Sequence, residues 1–439
     1  MTSAKDHRTL KRELGVFGAV MMGMGSIVGT GVFVSIGIAA GVAGPAVILA
    51  VAIGAFVATF NGLNSAQLAA NHPVSGGTYE YGYKFLNPTF GFTAGWMFLI
   101  AKSASAATAA LGFAGYLLGA FGVTRPGLIV PVAVAAVIVL TLIVVSGIRR
   151  SNITNIVIVS ITLASLAFFV LAGAPTALSD GAGNFAEFFS APEGDGGLRT
   201  LLFAGALMFV AYTGYGRIAT LGEEVKEPRR TIPRAIIATL VITMTLYMAV
   251  AAVGVGAVGA GPLSEAAGRQ AAPLVAAARA FNVPGVSQIL SFGAVTAMLG
   301  VLLNLILGLS RVLLAMGRRG DMPGVFGRLN ASGTTPTAAV IMMGIVIGGL
   351  ALIGDVRTTW SFSAFTVLVY YAITDFAALF IPNRGRLFPR WVAVVGVISC
   401  LSLAFFVEPR VWLTGLGLIA LGLVWHAAAR RLSSANTSG

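Results

Sequence analysis

Three ionisable side chains fall inside long apolar runs: Lys102, Arg217 and Asp375. An ionisable group at such depth costs at least about 2.5–3.5 kcal/mol, which makes each a functional candidate. Lys102 lies about fifteen residues into its run, too deep to snorkel easily to either surface. Its ammonium could bind an anionic group on a ligand, or it could be a structural cation bonded to helix carbonyls. Arg217 suits pairing with Glu223 or Glu224 better than contact with a ligand. Asp375 sits near one end of its run, where it could reach headgroups or join a gate ion pair.

The backbone offers a second kind of chemistry. Gly23, Gly25, Gly29 and Gly31 place four glycines in nine residues of an apolar run. Each weakens a helix by about 1 kcal/mol relative to alanine. In hydrocarbon a broken backbone persists only where its freed N–H and C=O groups face a cavity, a ligand or an ion. The stretch therefore reads as a membrane helix interrupted at its middle, although Gly25 and Gly29 would also suit a close helix contact. A second such stretch is Ala211-Tyr-Thr-Gly-Tyr-Gly216. Tyr212 and Tyr215 beside it could line a site or pack as ordinary aromatics.

The elements that carry these residues follow from composition. Of 439 residues, 57% are hydrophobic and 10% charged, and the mean hydropathy is +0.91. That describes an all-α polytopic membrane protein. The net charge of +13 does not mark a nucleic-acid partner. With twelve spans and both termini cytoplasmic, 20 of the 28 Lys and Arg lie on cytoplasmic segments, which is the positive-inside pattern. The expected location is the cell (inner) membrane. Cys400 stands alone in an apolar run, which excludes disulfides and cysteine metal clusters, and no metal or cofactor is expected. A membrane enzyme lacks an in-span metal set or a nucleophile–base pair, and a channel lacks a continuous polar lining.

Residues 1–13 form a basic cytoplasmic tail, and residues 14–383 a ten-span core. Spans are expected near 14–43, 46–69, 88–118, 127–147, 153–173, 199–221, 235–258, 286–316, 336–353 and 359–381. Residues 384–439 hold two more, near 390–407 and 411–429, with a short tail. External loops cover 174–198 and 262–285, the second with a short helical pattern. The breaks fall in the first and sixth spans, at corresponding places in halves of about 14–173 and 199–381. Paired interruptions of this kind point to a transporter built from inverted repeats.

Gly25-Ser-Ile-Val-Gly-Thr-Gly-Val-Phe33 resembles the first-helix motif of the amino acid–polyamine–organocation (APC) superfamily. Phe209-Val-Ala-Tyr-Thr-Gly-Tyr215 and Gly222-Glu-Glu-Val-Lys-Glu-Pro-Arg-Arg-Thr-Ile-Pro233 are similar to its sixth helix and following loop. Arg311, Ala315-Met-Gly-Arg-Arg-Gly-Asp-Met-Pro323 and Gly333-Thr-Thr-Pro336 resemble the eighth-helix exit and the start of the ninth. The resemblance implies a LeuT-type 5+5 inverted repeat with discontinuous helices 1 and 6. It also implies secondary transport of an amino acid or related amine across the bilayer, with protons as the coupling ion. The substrate carboxylate would meet backbone N–H groups around Gly29, Thr30 and Gly31, and the amine carbonyls near Ile27, Ala211 and Thr213. A half-helix N-terminus favours an anion and an exposed C-terminal end a cation, so a zwitterion suits the gap.

The chain departs from that family pattern. Thr162 stands where many members carry a fifth-helix lysine. By the resemblance, Lys102 could substitute for it, filling the ion position and titrating as the coupling proton is taken up. Gly216-Arg217 stands where an aspartate is frequent, and Val210 where an aromatic gate residue is common. Glu223 and Glu224 with Arg229, Arg230 and Arg318 could form a cytoplasmic gate or exposed loop pairs. Thr296 with Ser291 could complete a sodium site against first-helix carbonyls. A sodium-independent amino acid or polyamine exchanger is the alternative within this class. A sensor that binds without transporting would present the same site.

Overall fold

The computed structural model describes residues 14–73, 76–123, 125–147, 152–192, 197–219, 225–331 and 333–435. Among them there are helices and turns but no strand, apart from one isolated bridge between Leu14 and Val225. The Lys226 N–H donates to the Leu14 carbonyl at 2.9 Å, which fixes the start of the first helix.

The first half comprises α1 (Val16–Ile27), α2 (Thr30–Phe33), α3 (Ser35–Ala43), α4 (Val47–Asn71), α5 (Thr78–Tyr81), α6 (Pro88–Ala120), α7 (Ile129–Val145) and α8 (Asn152–Asn184). The second comprises α9 (Leu198–Tyr212), α10 (Gly216–Ala219), α11 (Pro228–Val258), α12 (Ala260–Gln270), α13 (Pro273–Ala280), α14 (Val286–Arg319), α15 (Thr337–Ala351) and α16 (Val356–Leu379). Two further helices, α17 (Arg390–Ala404) and α18 (Pro409–Ala435), close the chain.

Nine helical stretches among the described residues are long and apolar enough to cross a membrane. Three more, Val16–Ile27, Thr337–Ala351 and Arg390–Ala404, are apolar but shorter. Thr30–Asn71 counts as one of the nine, although the chain turns inside it at Gly44. Gly44 has φ +61, and a Cβ there would run into the Ser190 carbonyl, so only glycine serves this turn. Large apolar side chains face outward on the outer helices, with Leu171 74% and Val424 69% exposed. Leucine and valine so placed are at home only against lipid tails.

Two boundaries differ from expectation. The fifth span was expected to end at residue 173, yet α8 continues to Asn184 through Pro175. Proline removes one ladder bond and still permits a helix whose freed carbonyl has another donor. The external segment after α11 forms two helices, α12 and α13, where a short helical pattern was expected.

α4 packs against α9 and α11, α11 packs against α1 and as closely against α8, and α1 also touches α8. α6 packs against α14 and α16, and α14 against α8. α17 lies on α16 and α4, and α18 on α16 and α6.

Candidate functional site

The first helix is interrupted where the glycines predict. Val28 takes ψ 101 and leaves the helix, and Gly29 at φ −176, ψ −122 leads into α2. The N–H groups of Thr30 and Gly31 thus open a helix with no turn before them, and the last carbonyls of α1 lack a following turn. One of these, Ile27, accepts the Tyr247 hydroxyl at 2.9 Å. The Thr30 hydroxyl is buried and has no partner. In the sixth span, α9 passes into a 3-10 turn at Thr213–Tyr215 before α10. Tyr371 donates to the Thr213 carbonyl at 2.9 Å, and the Thr213 hydroxyl donates to the Val210 carbonyl at 2.8 Å.

The two breaks touch. A Cβ on Gly31 would stand 2.6 Å from that of Ala211. On Gly214 it would collide with the Ser26 carbonyl. Bare backbone at both positions is what lets the interrupted segments approach this closely.

Lys102 reaches the second break from the middle of α6. Its Nζ donates to the Thr213 hydroxyl at 2.7 Å, and the side chain is only 8% exposed. Ser363 on α16 holds α6 in register here, donating to the Ala101 carbonyl at 3.0 Å and meeting the Ser105 hydroxyl at 2.7 Å. Among the described residues no carboxylate forms an ion pair with the ammonium.

A cavity of about 990 Å³ ends on this point. Ser26, Lys102, Thr213 and Gly214 line its inner end, and Glu80, Arg311, Arg318 and Arg319 its mouth. The opposite end is shut. Tyr116 donates to the Phe33 carbonyl at 2.6 Å, Trp360 to that of Leu207 at 2.9 Å, and the Thr108 and Thr359 hydroxyls meet at 2.8 Å.

The predicted site residues separate into two sets. Thr213, Lys102 and Arg217 line the cavity. Ile27, Gly29, Thr30, Gly31, Val210 and Ala211 lie buried behind it at the closed junction of the breaks. Tyr212 and Tyr215 are fully buried packing aromatics, against Tyr247 and Tyr371 respectively. Thr162 donates to the Ile158 carbonyl of its own helix, and Thr296 to those of Phe292 and Gly293. Glu223, with Glu224, lies outside the described residues.

Asp375 does not reach headgroups and forms no ion pair among the described residues. It is fully buried, accepts from Asn64 at 2.8 Å, and its second oxygen has no partner. Sequence position placed it near the end of a span, but the neighbouring α17 covers it there; Gly396 leaves the space it fills.

A family model described as amino acid permease matches residues 18–433. The chain belongs to the amino acid permease family, within the APC superfamily. This permease is 38% identical over 423 residues to an uncharacterised transporter of Mycobacterium tuberculosis, covering 96% of this chain and 92% of the relative. It is 27% identical to a branched-chain amino acid permease of Bacillus subtilis, covering 97% and 93% of the two chains. A methylthioribose transporter of the same organism is also 27% identical, with 99% and 97% covered. The permease is therefore a multi-pass membrane transporter and not an enzyme.

One cluster of the permease was not foreseen. Asp321, just beyond α14, accepts from the hydroxyls of Tyr79 at 2.7 Å and Tyr83 at 2.7 Å. His426 of α18 stands 3.3 Å from the same carboxylate and stacks on Phe92, and Trp425 donates to the Asp321 carbonyl at 2.9 Å. Burial, and then the Asp321 carboxylate, push both tyrosine hydroxyls above their ordinary pKa, so they remain donors. Arg319 lies over both rings and pairs with Glu80 at 2.8 Å. The aromatic run Tyr79-Glu-Tyr-Gly-Tyr83 was a visible signal; its acidic partner lies 242 residues from Tyr79.

Proposed function

We propose that the protein imports an amino acid across the cytoplasmic membrane by proton symport, holding it between the interrupted parts of its first and sixth spans. The observation that carries this is the meeting of two broken helices at the inner end of a large cavity. Twelve spans would then form a LeuT-type 5+5 inverted repeat followed by two additional helices. The group α1, α4, α9 and α11 would rock against the remainder. The packing of α4 on α9 and α11, and of α11 on α1, supports taking these four together.

Both termini would be cytoplasmic by the distribution of Lys and Arg. The cavity mouth, with Arg311, Arg318 and Arg319, then faces the cytoplasm, and the conformation is inward-open. The substrate carboxylate would meet the N–H groups of Thr30 and Gly31 once the breaks part. Its amine would meet the carbonyls of Ile27, Ala211 and Thr213. A carbonyl has two lone pairs, so Ile27 can keep Tyr247 and still accept an amine.

Thr162 favours a second reading, exchange without proton coupling, because its hydroxyl is committed to its own helix and cannot titrate. Uptake of labelled amino acids into proteoliposomes, with and without an inward proton gradient, separates the two. Uptake raised several-fold by the gradient supports symport. Uptake that ignores it but needs internal substrate identifies an exchanger, and saturable binding without flux a sensor.

A further inference from the structure

We infer that the transported solute is net anionic, carrying a carboxylate that pairs with the Lys102 ammonium at the inner end of the cavity. The inference rests on the transport reading above and names the substrate class of that same site.

Lys102 is buried and faces a cavity, with one neutral hydroxyl as its recorded partner. A cation removed from water without a counter-charge is strongly disfavoured, and no described residue supplies the anion. The lining of the cavity points the same way. Beyond the Arg319–Glu80 pair, at 2.8 and 2.9 Å, it contains Lys102, Arg311 and Arg318 and no other acid among the described residues. A cleft lined by one sign of charge between low-dielectric walls concentrates ions of the other sign. The same field repels a solute with a cationic side chain. The buried Thr30 hydroxyl in the neighbouring break is a further polar group without a partner.

Two solutes share this chemistry: a dicarboxylic amino acid and a dicarboxylate without an amine. In the first, one carboxylate and the amine would occupy the breaks while the second carboxylate reaches Lys102. In the second, the ammonium of Lys102 occupies the region that an amine would otherwise fill.

The test is competition against uptake in proteoliposomes, with thermal shift of the purified full chain as a parallel readout. L-glutamate, succinate, L-leucine and L-lysine are compared on wild type and Lys102→Gln. Glutamine keeps an N–H donor on a side chain one bond shorter and removes the charge, and the melting temperature reports whether the structural role survives the change. In wild type, glutamate or succinate should be bound at least tenfold more tightly than leucine, and lysine should be bound weakest. Glutamate ahead of succinate identifies the amino acid; the reverse order identifies the carboxylate without an amine. Lys102→Gln should lose at least tenfold in affinity for the anion while melting close to wild type. Wild type that transports leucine or lysine and ignores both anions overturns the inference while leaving transport intact. Tight anion binding with no flux of any solute would overturn transport and leave the charge assignment standing. The wild-type ranking decides the matter even if the variant fails to fold.

Discussion

At the residue scale the site depends on what is absent from the side chains. Gly214 abuts the Ser26 carbonyl, and neither partner is a flexible side-chain end that could yield. Gly214→Ala should therefore force the breaks apart, with a cost of about 1–3 kcal/mol by overpacking. The expected result is a lower melting temperature and loss of at least nine-tenths of uptake; an active variant of unchanged stability would refute the contact. These glycines were legible in the sequence because hydrocarbon punishes broken helices and so makes each one conspicuous. Lys102 was conspicuous for the same reason. Its partner was not, because a bond from α6 to Thr213 joins residues 111 positions apart and leaves no local pattern. Tyr212 and Tyr215 were not legible in that way: an aromatic beside a break can face the gap or the packing behind it, and spacing alone does not choose.

At the element scale the cavity end is organised by a short helix and the exit of a long one. Asp321 collects the hydroxyls of Tyr79 and Tyr83 and so fastens α5 to the end of α14. Hydrogen bonds to a charged group contribute roughly 1.5–3 kcal/mol each. Asp321→Ala leaves both hydroxyls without their acceptor and should cost about 3 kcal/mol or more, read as a fall in melting temperature in detergent. Tyr83→Phe removes one hydroxyl and should cost about half of that; equal effects would mean that the cluster is not shared. The apolar runs were legible as helices, nine of them among the described residues long enough to cross a membrane, because apolar length is what a bilayer selects. The extension of α8 past residue 173 was not, since beyond the bilayer the helix is no longer reported by hydropathy.

At the scale of the whole molecule the structure is open at one end and sealed at the other. The protein carries a single cysteine, Cys400, and it is fully buried. It gives almost no background to thiol labelling, which makes the cavity easy to interrogate. Gly308 lines the cavity and has open space where a Cβ would go. Gly308→Cys should fold normally and react with a membrane-impermeant maleimide only from the side of the cavity mouth. Bound substrate should slow the reaction at least several-fold. Equal reaction from both sides would contradict the seal formed by Tyr116, Trp360 and the Thr108–Thr359 pair.

Biosynthesis meets the Asp321 cluster in a definite order. The tyrosines of residues 79 and 83 leave the ribosome early, and Asp321 follows much later. Trp425 and His426 are near the end of the chain. Helix α18 lies outside the two halves that hold the breaks, yet it supplies the last contacts around that carboxylate. The mouth of the cavity is consequently among the last parts of the molecule to be completed. A nascent chain still lacking α18 carries both broken helices without the contacts that Trp425 and His426 make to Asp321.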